Sequence, residues 1–224
     1  MRAALSVPCL VLFFSYLGFG GLLQGVGFPL VAGVLSTILI WALPAQIILI
    51  GGLTTGTSLI AIALAVGLSS LRLLPMVVSI VPYLRGTRRN VAAELYAAHF
   101  VAMTVWVEGI RLFPTIPREG RLPFALGLGH TLLLTSVTGT IAGYFLAGEL
   151  PPPLAAGLLF LTPVSFTILM VRGAREATDW IALGAGLLTA PLVAGMSGGA
   201  DLMISGVGGG TFAYLVGRML RRRL

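Results

Sequence analysis

The chain contains 224 residues, of which 57% are hydrophobic and 9% are charged. Its mean hydropathy of +1.02 lies outside the range of soluble domains and predicts an integral membrane protein. The formal charge of +7 comes from arginines in short clusters between apolar runs, which indicates anchors against anionic lipid and not a nucleic-acid surface. One cysteine and two histidines argue against a disulfide framework, a metal site and a metal cofactor.

Apolar runs punctuated by Pro, Gly and Arg predict membrane-spanning helices, because each run approaches the roughly 20 residues needed to cross the hydrocarbon core. In chain order the seven predicted spans are 5–26, 28–51, 59–84, 122–147, 154–171, 181–195 and 202–220. The predicted fold class is therefore an all-α polytopic membrane protein with a single transmembrane domain.

Segment 91–113 differs from these runs because it carries Glu94, His99, Glu108 and Arg111 within one apolar stretch. We expect it to be amphipathic, re-entrant or packed against protein. Arginine clusters flank it on both sides, so a positive-inside bias requires it to enter and leave on the same side of the membrane. If it crosses instead, some of these clusters lie outside. Seven crossings with the clusters inside place the N-terminus outside.

An internal repeat predicts a relation between two proline-containing spans. A shift of 119 positions places Pro44 on Pro163 and aligns 61–68 with 180–187. The loops after the matched spans have opposite charge bias, which is typical of an inverted-topology repeat. Chance similarity between apolar, Gly-rich helices is the alternative. The predicted organisation is repeat one at 5–85, an intervening segment at 91–113, repeat two at 122–197 and a C-terminal helix at 202–220.

Pro44 and Pro163 each remove a backbone N–H within a span, so we expect both helices to break and to leave backbone groups free. Gln46 and Ser165 follow these prolines at the same spacing and would add side-chain donors and acceptors near the midplane. Two such breaks are the arrangement that transporters use to bind polar solutes. The alternative is a kinked packing helix in which Gln46 bonds to a neighbour.

Arg72 lies in the middle of span 59–84, about 18 Å from its Arg85 end, which is too far for its side chain to reach the interface easily. An unpaired guanidinium at the bilayer centre costs about 2.5–3.5 kcal/mol, so Arg72 requires a partner or a water-filled cavity. Its planar fork is suited to bidentate binding of a carboxylate. Pairing with Glu108, or with carbonyls freed by Pro75, is the alternative.

Three titratable side chains are candidates for proton coupling: Glu108, His99 and His130. His130 has the alternative of an ordinary hydrogen bond within the bundle. His99 and Glu108 are nine residues apart, so they face different sides of a helix unless the helix breaks, and we expect no metal pair. The Gly-rich tail at 197–217 lacks the strand and lysine of a phosphate-binding loop and indicates close helix packing.

Several segments resemble the AzlC-like large subunits of branched-chain amino-acid exporters. They read FGGLLQGVGFP, ALPAQIILIGG, LSSLRLLPMVVSIVPYLRG and GYFLAGELPPPLAAGLLFLTPVSF. The resemblance implies export of leucine, isoleucine or valine across the inner membrane of a bacterial or archaeal cell, with a small hydrophobic AzlD-like partner subunit. It carries over Gln46 and Arg72 as functional positions and Pro82 and Tyr83 as structural marks. Ser70 stands where the family has Asn, and AAHFVAM replaces the family's Thr-Asp-Glu-like pattern.

We therefore expect a secondary transporter that works by alternating access on a small zwitterion. In this mechanism Arg72 holds the carboxylate, while Gln46, Ser165 and free backbone groups hold polar atoms between apolar walls. A non-transporting membrane scaffold subunit and an exporter of another small zwitterionic solute are the alternatives. No nucleophile–base pair in the sequence supports an enzyme, and no cofactor is expected.

Overall fold

The computed structural model describes residues 7–85, 90–146, 149, 151–174, 177–193 and 208–221. Within these residues the regular structure is helical, and none of them lies in a β-strand. The α-helices are α1 (Val7–Gly25), α2 (Leu30–Leu39), α3 (Leu43–Thr54), α4 (Leu59–Ser70), α5 (Leu74–Leu84), α6 (Val91–His99), α7 (Met103–Leu112), α8 (Arg118–Leu146), α9 (Pro152–Gly173), α10 (Ala177–Val193) and α11 (Gly209–Arg221). The predicted all-α class is confirmed.

Two of the described helical stretches are long and apolar enough to cross a membrane. One is α8, with 29 residues, and the other is the 26-residue stretch Leu59–Leu84, in which a 3₁₀ turn at Leu71–Leu73 joins α4 to α5. At the helical rise they are about 43 and about 39 Å long. Together with the shorter apolar helices, they are consistent with the predicted membrane protein.

α1 packs along α8 in the same direction. Gly139 of α8 lies against Phe13, and Gly143, four residues further on, lies against Leu17. A Cβ added at Gly139 would lie 2.6 Å from the Phe13 carbonyl oxygen, so glycine is required for this approach of the two backbones. In the topology predicted with the N-terminus outside, these helices run in opposite directions, so that prediction is wrong.

The predicted span 28–51 is divided in the middle. α2 ends at Leu39 and α3 begins at Leu43. Between them Trp41 has a positive φ of 38°, which is a strained conformation for a bulky residue. Pro44 lies in the first turn of α3, where its missing N–H needs no helical partner. The helix break predicted at this proline is confirmed.

α3 folds back beside α2, and the two helices form a hairpin. Gln46 Nε2 donates hydrogen bonds to Ser36 Oγ at 3.0 Å and to Thr37 Oγ1 at 3.1 Å. A helix that continued straight would separate Thr37 and Gln46 by about 13 Å along its axis, which is beyond the reach of these side chains. The segment therefore returns without crossing, and a single crossing separates α1 from α8. This explains why α1 and α8 are parallel.

Charge distinguishes the two ends of the bundle. α5 ends beside the start of α8, where Arg85, Arg118 and Arg121 line one cavity, and we call this the arginine end. α5 and α8 are therefore antiparallel, and α4 begins at the opposite end, which we call the far end. Gly52 of α3 packs against Ile62 of α4, so α3 also ends at the far end. The hairpin formed by α2 and α3, the first hairpin, thus enters and leaves at the far end.

The charged segment between α5 and α8 forms a second hairpin, which enters from the arginine end. Near the start of α6, Glu94 accepts a hydrogen bond from Arg85 Nε at 3.3 Å. Just after α7, the Phe113 ring lies 6.4 Å from the Tyr83 ring. Both outer ends of the segment are therefore beside the end of α5, and the chain turns between them at 100–102. Of the three predicted courses, these contacts fit the re-entrant one.

α9 is unbroken from Pro152 to Gly173, so the break predicted at Pro163 is wrong. A proline is tolerated within a membrane helix when neighbouring groups satisfy the freed carbonyl. The predicted pairing of Pro44 with Pro163 as two broken helices is therefore wrong as well. The second break lies instead between α6 and α7.

α10 and α11 form an antiparallel pair. Gly209 lies closest to Ala185 and Gly186, and Gly217 packs against Thr178. Close packing at glycines was predicted for this part of the chain. Residues 194–207, where one predicted span ends and the next begins, lie outside the described residues.

Candidate functional site

The tips of the two hairpins meet inside the bundle. His99 Nε2 lies 2.9 Å from the carbonyl oxygen of Ile38, and the rings of Trp41 and Phe100 are in edge contact with centroids 6.2 Å apart. Trp41 also donates its indole N–H to Ser136 Oγ at 3.0 Å. Because Ser136 lies near the middle of α8, the tips meet close to the mid-depth of the bundle. These contacts hold Trp41 in a backbone conformation that costs about 1–3 kcal/mol.

We define the tip junction as residues 40–42 and 100–102, where helix ends of both polarities come together. α3 begins after Ala42 and α7 begins after Ala102, and neither N-cap residue makes a side-chain capping hydrogen bond. The first N–H groups of both helices therefore lie at the junction without a helical partner, beside a positive partial charge. α2 and α6 end at the same place with carbonyl groups and a negative partial charge. The junction thus offers donors and acceptors to a polar solute.

Arg72 lies at the same depth as the first hairpin tip. It belongs to the 3₁₀ turn in the middle of the stretch Leu59–Leu84. α3 and α4 are antiparallel, with Gly52 packed against Ile62. Ten residues after Ile62 is Arg72, and ten residues before Gly52 is Ala42. Equal helical rise therefore places Arg72 level with Ala42 in the tip junction.

A second pair of contacts gives a similar depth for Arg72 independently. α5 and α7 are parallel, because Trp106 donates its indole N–H to Ser79 Oγ at 2.8 Å and Gly109 packs against Ile80. Arg72 is seven residues before Ser79, and the start of α7 is three residues before Trp106, so Arg72 lies about four residues, or about 6 Å, from the level at which α7 begins. Arg72 is thus within about one helical turn of the level of both tips.

Arg72 makes no hydrogen bond or ion pair with the residues that the structure describes, and its side chain is exposed in the isolated chain. The predicted alternative partner, Glu108, forms an ion pair with Arg111 one turn along α7. A guanidinium at this depth is not stable against hydrocarbon alone, so it requires a bound anion, water or another protein. The Arg72 guanidinium therefore needs a partner that the described residues do not supply.

Gln46 is fully buried, and its amide is held by three side chains. Tyr16 donates its hydroxyl proton to Gln46 Oε1 at 3.0 Å, and Gln46 Nε2 donates to Ser36 and Thr37. Thr37 Oγ1 lies 3.4 Å from Thr140 Oγ1 of α8. The amide therefore ties the first hairpin to α1 and α8 just above the tip. This is the alternative in which Gln46 bonds to its neighbours.

Both predicted histidines lie against the Phe100 ring. The His130 ring is 4.5 Å from the Phe100 ring and the His99 ring is 5.2 Å from it. His130 Nδ1 lies 2.7 Å from the Leu126 carbonyl oxygen, so it carries the proton, and its Nε2 accepts from the Tyr96 hydroxyl at 2.7 Å. His99 and His130 are thus close to the tip junction.

Other predicted residues are not brought to this place. Glu108 lies in α7 beside Gly109, which packs against α5, and it does not join the two histidines. Pro163 and Ser165 belong to α9, but their side chains lie outside the part of the chain that the structure describes. Among the described residues there is no group of three or more His, Cys, Asp or Glu that could hold a metal ion.

Tyr16, Tyr96 and Trp41 are among the residues of the site that had not been predicted. Tyr16 lies in the apolar run of α1, and only its pairing across the bundle reveals its role. Trp41 precedes the predicted proline break by three residues and was a recognisable candidate for a tip residue. No Pro or Gly marks the break at 100–102, so composition gave no signal for the second tip.

Broken helices that meet at mid-depth are an arrangement of membrane transport proteins. The chain belongs to the AzlC family: the family model described as AzlC protein matches residues 8–150. This range contains α1 from its second residue and all of α2 to α8, and therefore both hairpins, Arg72 and the tip junction. No curated protein and no solved structure matches the chain. The family is associated with transport, which agrees with the architecture.

Proposed function

We propose that this chain is the large subunit of a secondary transporter that exports branched-chain amino acids across the cell inner membrane. The small hydrophobic AzlD-like subunit is its proposed partner. Membership of the AzlC family supports this function. The observation that carries it in the structure is the position of Arg72, which lies at the depth of two opposed hairpin tips and has no described partner.

The chemistry of the tip junction fits a small zwitterion. The carboxylate of the amino acid binds the Arg72 guanidinium and the uncapped N-termini of α3 and α7. The ammonium group binds carbonyls at the C-terminal ends of α2 and α6. The buried side chains of Trp41, Phe100 and Val101 provide an apolar surface for an aliphatic side chain. An exporter of another small zwitterion would use the same polar groups, so the selectivity for leucine, isoleucine and valine rests on this apolar surface and on the family.

The opposed directions of the two hairpins support alternating access as the proposed mechanism. The first hairpin closes the site from the far end, and the second closes it from the arginine end. Withdrawal of one tip opens a path to one side while the other tip remains in place. In the closed arrangement the contact between His99 and the Ile38 carbonyl joins the tips. Gln46 holds the first hairpin in position through its three hydrogen bonds, and we propose Ser165 as a further polar contact from α9.

Proton coupling is proposed at the histidines beside the junction. His99 and His130 are candidates because both lie against the Phe100 ring and both have ring nitrogens in hydrogen bonds to backbone carbonyls. Glu108 is the third candidate, and its ion pair with Arg111 would have to open before it accepted a proton.

The test is counterflow of radiolabelled leucine in proteoliposomes that contain the chain and its small subunit. Arg72→Ala is expected to reduce counterflow at least about tenfold, because it removes a charge-assisted hydrogen bond to the substrate. Arg72→Lys keeps the charge but loses the planar fork. Its leucine counterflow is expected to lie between that of the parent chain and that of Arg72→Ala. Arg218→Ala, an exposed arginine of α11, is the matched control and is expected to leave counterflow unchanged. Normal counterflow by folded Arg72→Ala removes this residue from the mechanism.

A non-transporting scaffold subunit is the second candidate, because Arg72 is exposed in the isolated chain and a partner helix with a carboxylate would also satisfy it. The two functions predict different results for a carboxylate-to-amide substitution in the small subunit. If the chain is a scaffold and Arg72 pairs with a carboxylate of the small subunit, the substitution dissociates the complex. The purified large subunit by itself then shows no leucine counterflow. If Arg72 binds substrate, the complex forms normally and leucine transport persists.

A further inference from the structure

Three arginines from two helices converge at the arginine end. Arg85 follows the last residue of α5, and Arg118 and Arg121 lie in the first turn of α8. With Pro82 and Tyr83 they line a cavity of about 370 Å³. The cavity is separate from the tip junction, which lies near the middle of α8.

The charges around this cavity are not balanced by the described side chains. Arg85 has one carboxylate partner, Glu94, through Nε at 3.3 Å. Arg121 uses Nε to donate to the Ile116 carbonyl oxygen at 3.0 Å. The terminal guanidinium nitrogens of both residues have no partner among the described residues, and the same holds for the whole Arg118 side chain. Three cations and one paired carboxylate leave a net charge of about +2, which favours a bound anion.

The depth of the cavity identifies the kind of anion. Arg85 directly follows a 26-residue helical stretch that is long and apolar enough to cross a membrane, and Arg118 begins a 29-residue helix of the same kind. Both arginines therefore lie where a spanning helix leaves the hydrocarbon and enters the headgroup region. Leu95, next to Glu94 in the neighbouring helix, is 68% exposed and offers an apolar surface toward the hydrocarbon. A ligand with a phosphate group above an acyl chain matches both features.

We propose that Arg85, Arg118 and Arg121 form a discrete binding site for the phosphate group of an anionic phospholipid. The guanidinium forks bind the phosphate oxygens in a bidentate manner, and the acyl chains lie along exposed apolar residues of α6. Exposed Glu119 is adjacent to Arg118 in sequence but makes no described ion pair with it. The site is saturable and holds one headgroup, which distinguishes it from a general attraction of basic residues to the membrane surface.

The experiment is a titration of the purified full-length chain in a neutral detergent, with bound ligand counted by native mass spectrometry. The probe is dioctanoyl phosphatidylglycerol, and dioctanoyl phosphatidylcholine and sodium phosphate are the two comparison ligands. Arg118→Gln and Arg121→Gln each remove one cation from the cavity. Arg218→Gln makes the same charge change at an exposed position of α11, outside the cavity. Thermal unfolding of each variant verifies that it is folded.

We expect one phosphatidylglycerol to bind saturably and each cavity variant to weaken binding at least about tenfold, as loss of a charge-assisted hydrogen bond does. Arg218→Gln is expected to stay within about twofold of the parent chain. Arg118→Lys keeps the charge but lacks the fork, so it is expected to bind more weakly than the parent chain. Binding of sodium phosphate with the same dependence on the variants would support the phosphate site and assign it to free phosphate.

Three results would overturn the proposal. The first is equal binding of phosphatidylcholine and phosphatidylglycerol, and the second is equal loss of affinity in Arg218→Gln and Arg118→Gln. The third is an affinity for phosphatidylglycerol that is the same in both Arg118→Gln and Arg121→Gln as in the parent chain. None of these measurements involves transport, so they are independent of the proposed export of amino acids.

Discussion

Replacing Gln46 with Leu is expected to destabilise the first hairpin through one orphaned hydroxyl group. Ser36 and Thr37 keep their own donor bonds to the Gly33 carbonyl at 2.7 and 3.1 Å, so they lose only an incoming bond. Tyr16 is different, because Gln46 Oε1 is the acceptor described for its buried hydroxyl. A buried donor without an acceptor costs about 1–3 kcal/mol, whereas side-chain hydrogen bonds in membrane proteins average about 0.6 kcal/mol. We expect a loss of about 1–2 kcal/mol in the free energy of unfolding.

The assay is a double-mutant cycle measured by equilibrium unfolding in mixed micelles. Tyr16→Phe removes the hydroxyl, so Tyr16→Phe combined with Gln46→Leu leaves no orphaned donor. The double variant is therefore expected to be more stable than the sum of the single changes by about 1 kcal/mol. Gln24→Leu, at an exposed position of α1, is the matched control and is expected to change stability by less than about 0.5 kcal/mol. Strict additivity of the two changes would refute the role assigned to this hydrogen bond.

Three further predictions concern the helix pair, the tips and the second hairpin. Gly143→Ala is expected to lower the free energy of unfolding by about 2 kcal/mol or more, because the added Cβ overlaps the backbone of α1. The control is Gly127→Ala on the same helix, whose Cβ meets nothing within 4 Å. It is expected to be neutral or slightly stabilising in thermal unfolding. His99→Leu removes the hydrogen-bond donor to the Ile38 carbonyl in the first hairpin. It is expected to alter leucine counterflow by about threefold or more with little change in melting temperature. A lower melting temperature with unchanged counterflow would contradict a role in the tip contact. Cysteines at Asn90 and Thr115, in an otherwise cysteine-free chain, are expected to react with an impermeant thiol reagent from the same side of the membrane, and reaction from opposite sides would exclude the re-entrant course.

Local chemistry predicted the features that a single residue determines. Pro44 predicted the first break because a missing N–H is best tolerated in the first turn of a helix. The position of Arg72 at mid-span followed from counting residues. The contacts of α3 with α4 and of α5 with α7 both place it near that depth. The unusual character of the segment around Glu94 and His99 was visible because charged groups rarely lie within an apolar run.

Features that depend on tertiary contacts were not predictable in the same way. Pro163 has the same local chemistry as Pro44, yet α9 continues through it, because surrounding groups decide whether a proline breaks a membrane helix. The turn at 100–102 contains neither Pro nor Gly, and packing against α8 stabilises it. Whether span 28–51 crosses or returns depended on Gln46 reaching back to Ser36, a contact that hydropathy does not report.

The direct backbone contact between α1 and α8 gives this bundle a stiff frame. At Gly20, Gly139 and Gly143 the backbones of the two helices are in direct contact, so sliding or rolling of one helix on the other would make backbone atoms collide at these positions. The two hairpin tips, in contrast, contact each other through a hydrogen bond from a side chain and an edge contact between two rings. We therefore expect α1 and α8 to stay fixed during the proposed transport cycle, and the hairpin tips that rest against them to move.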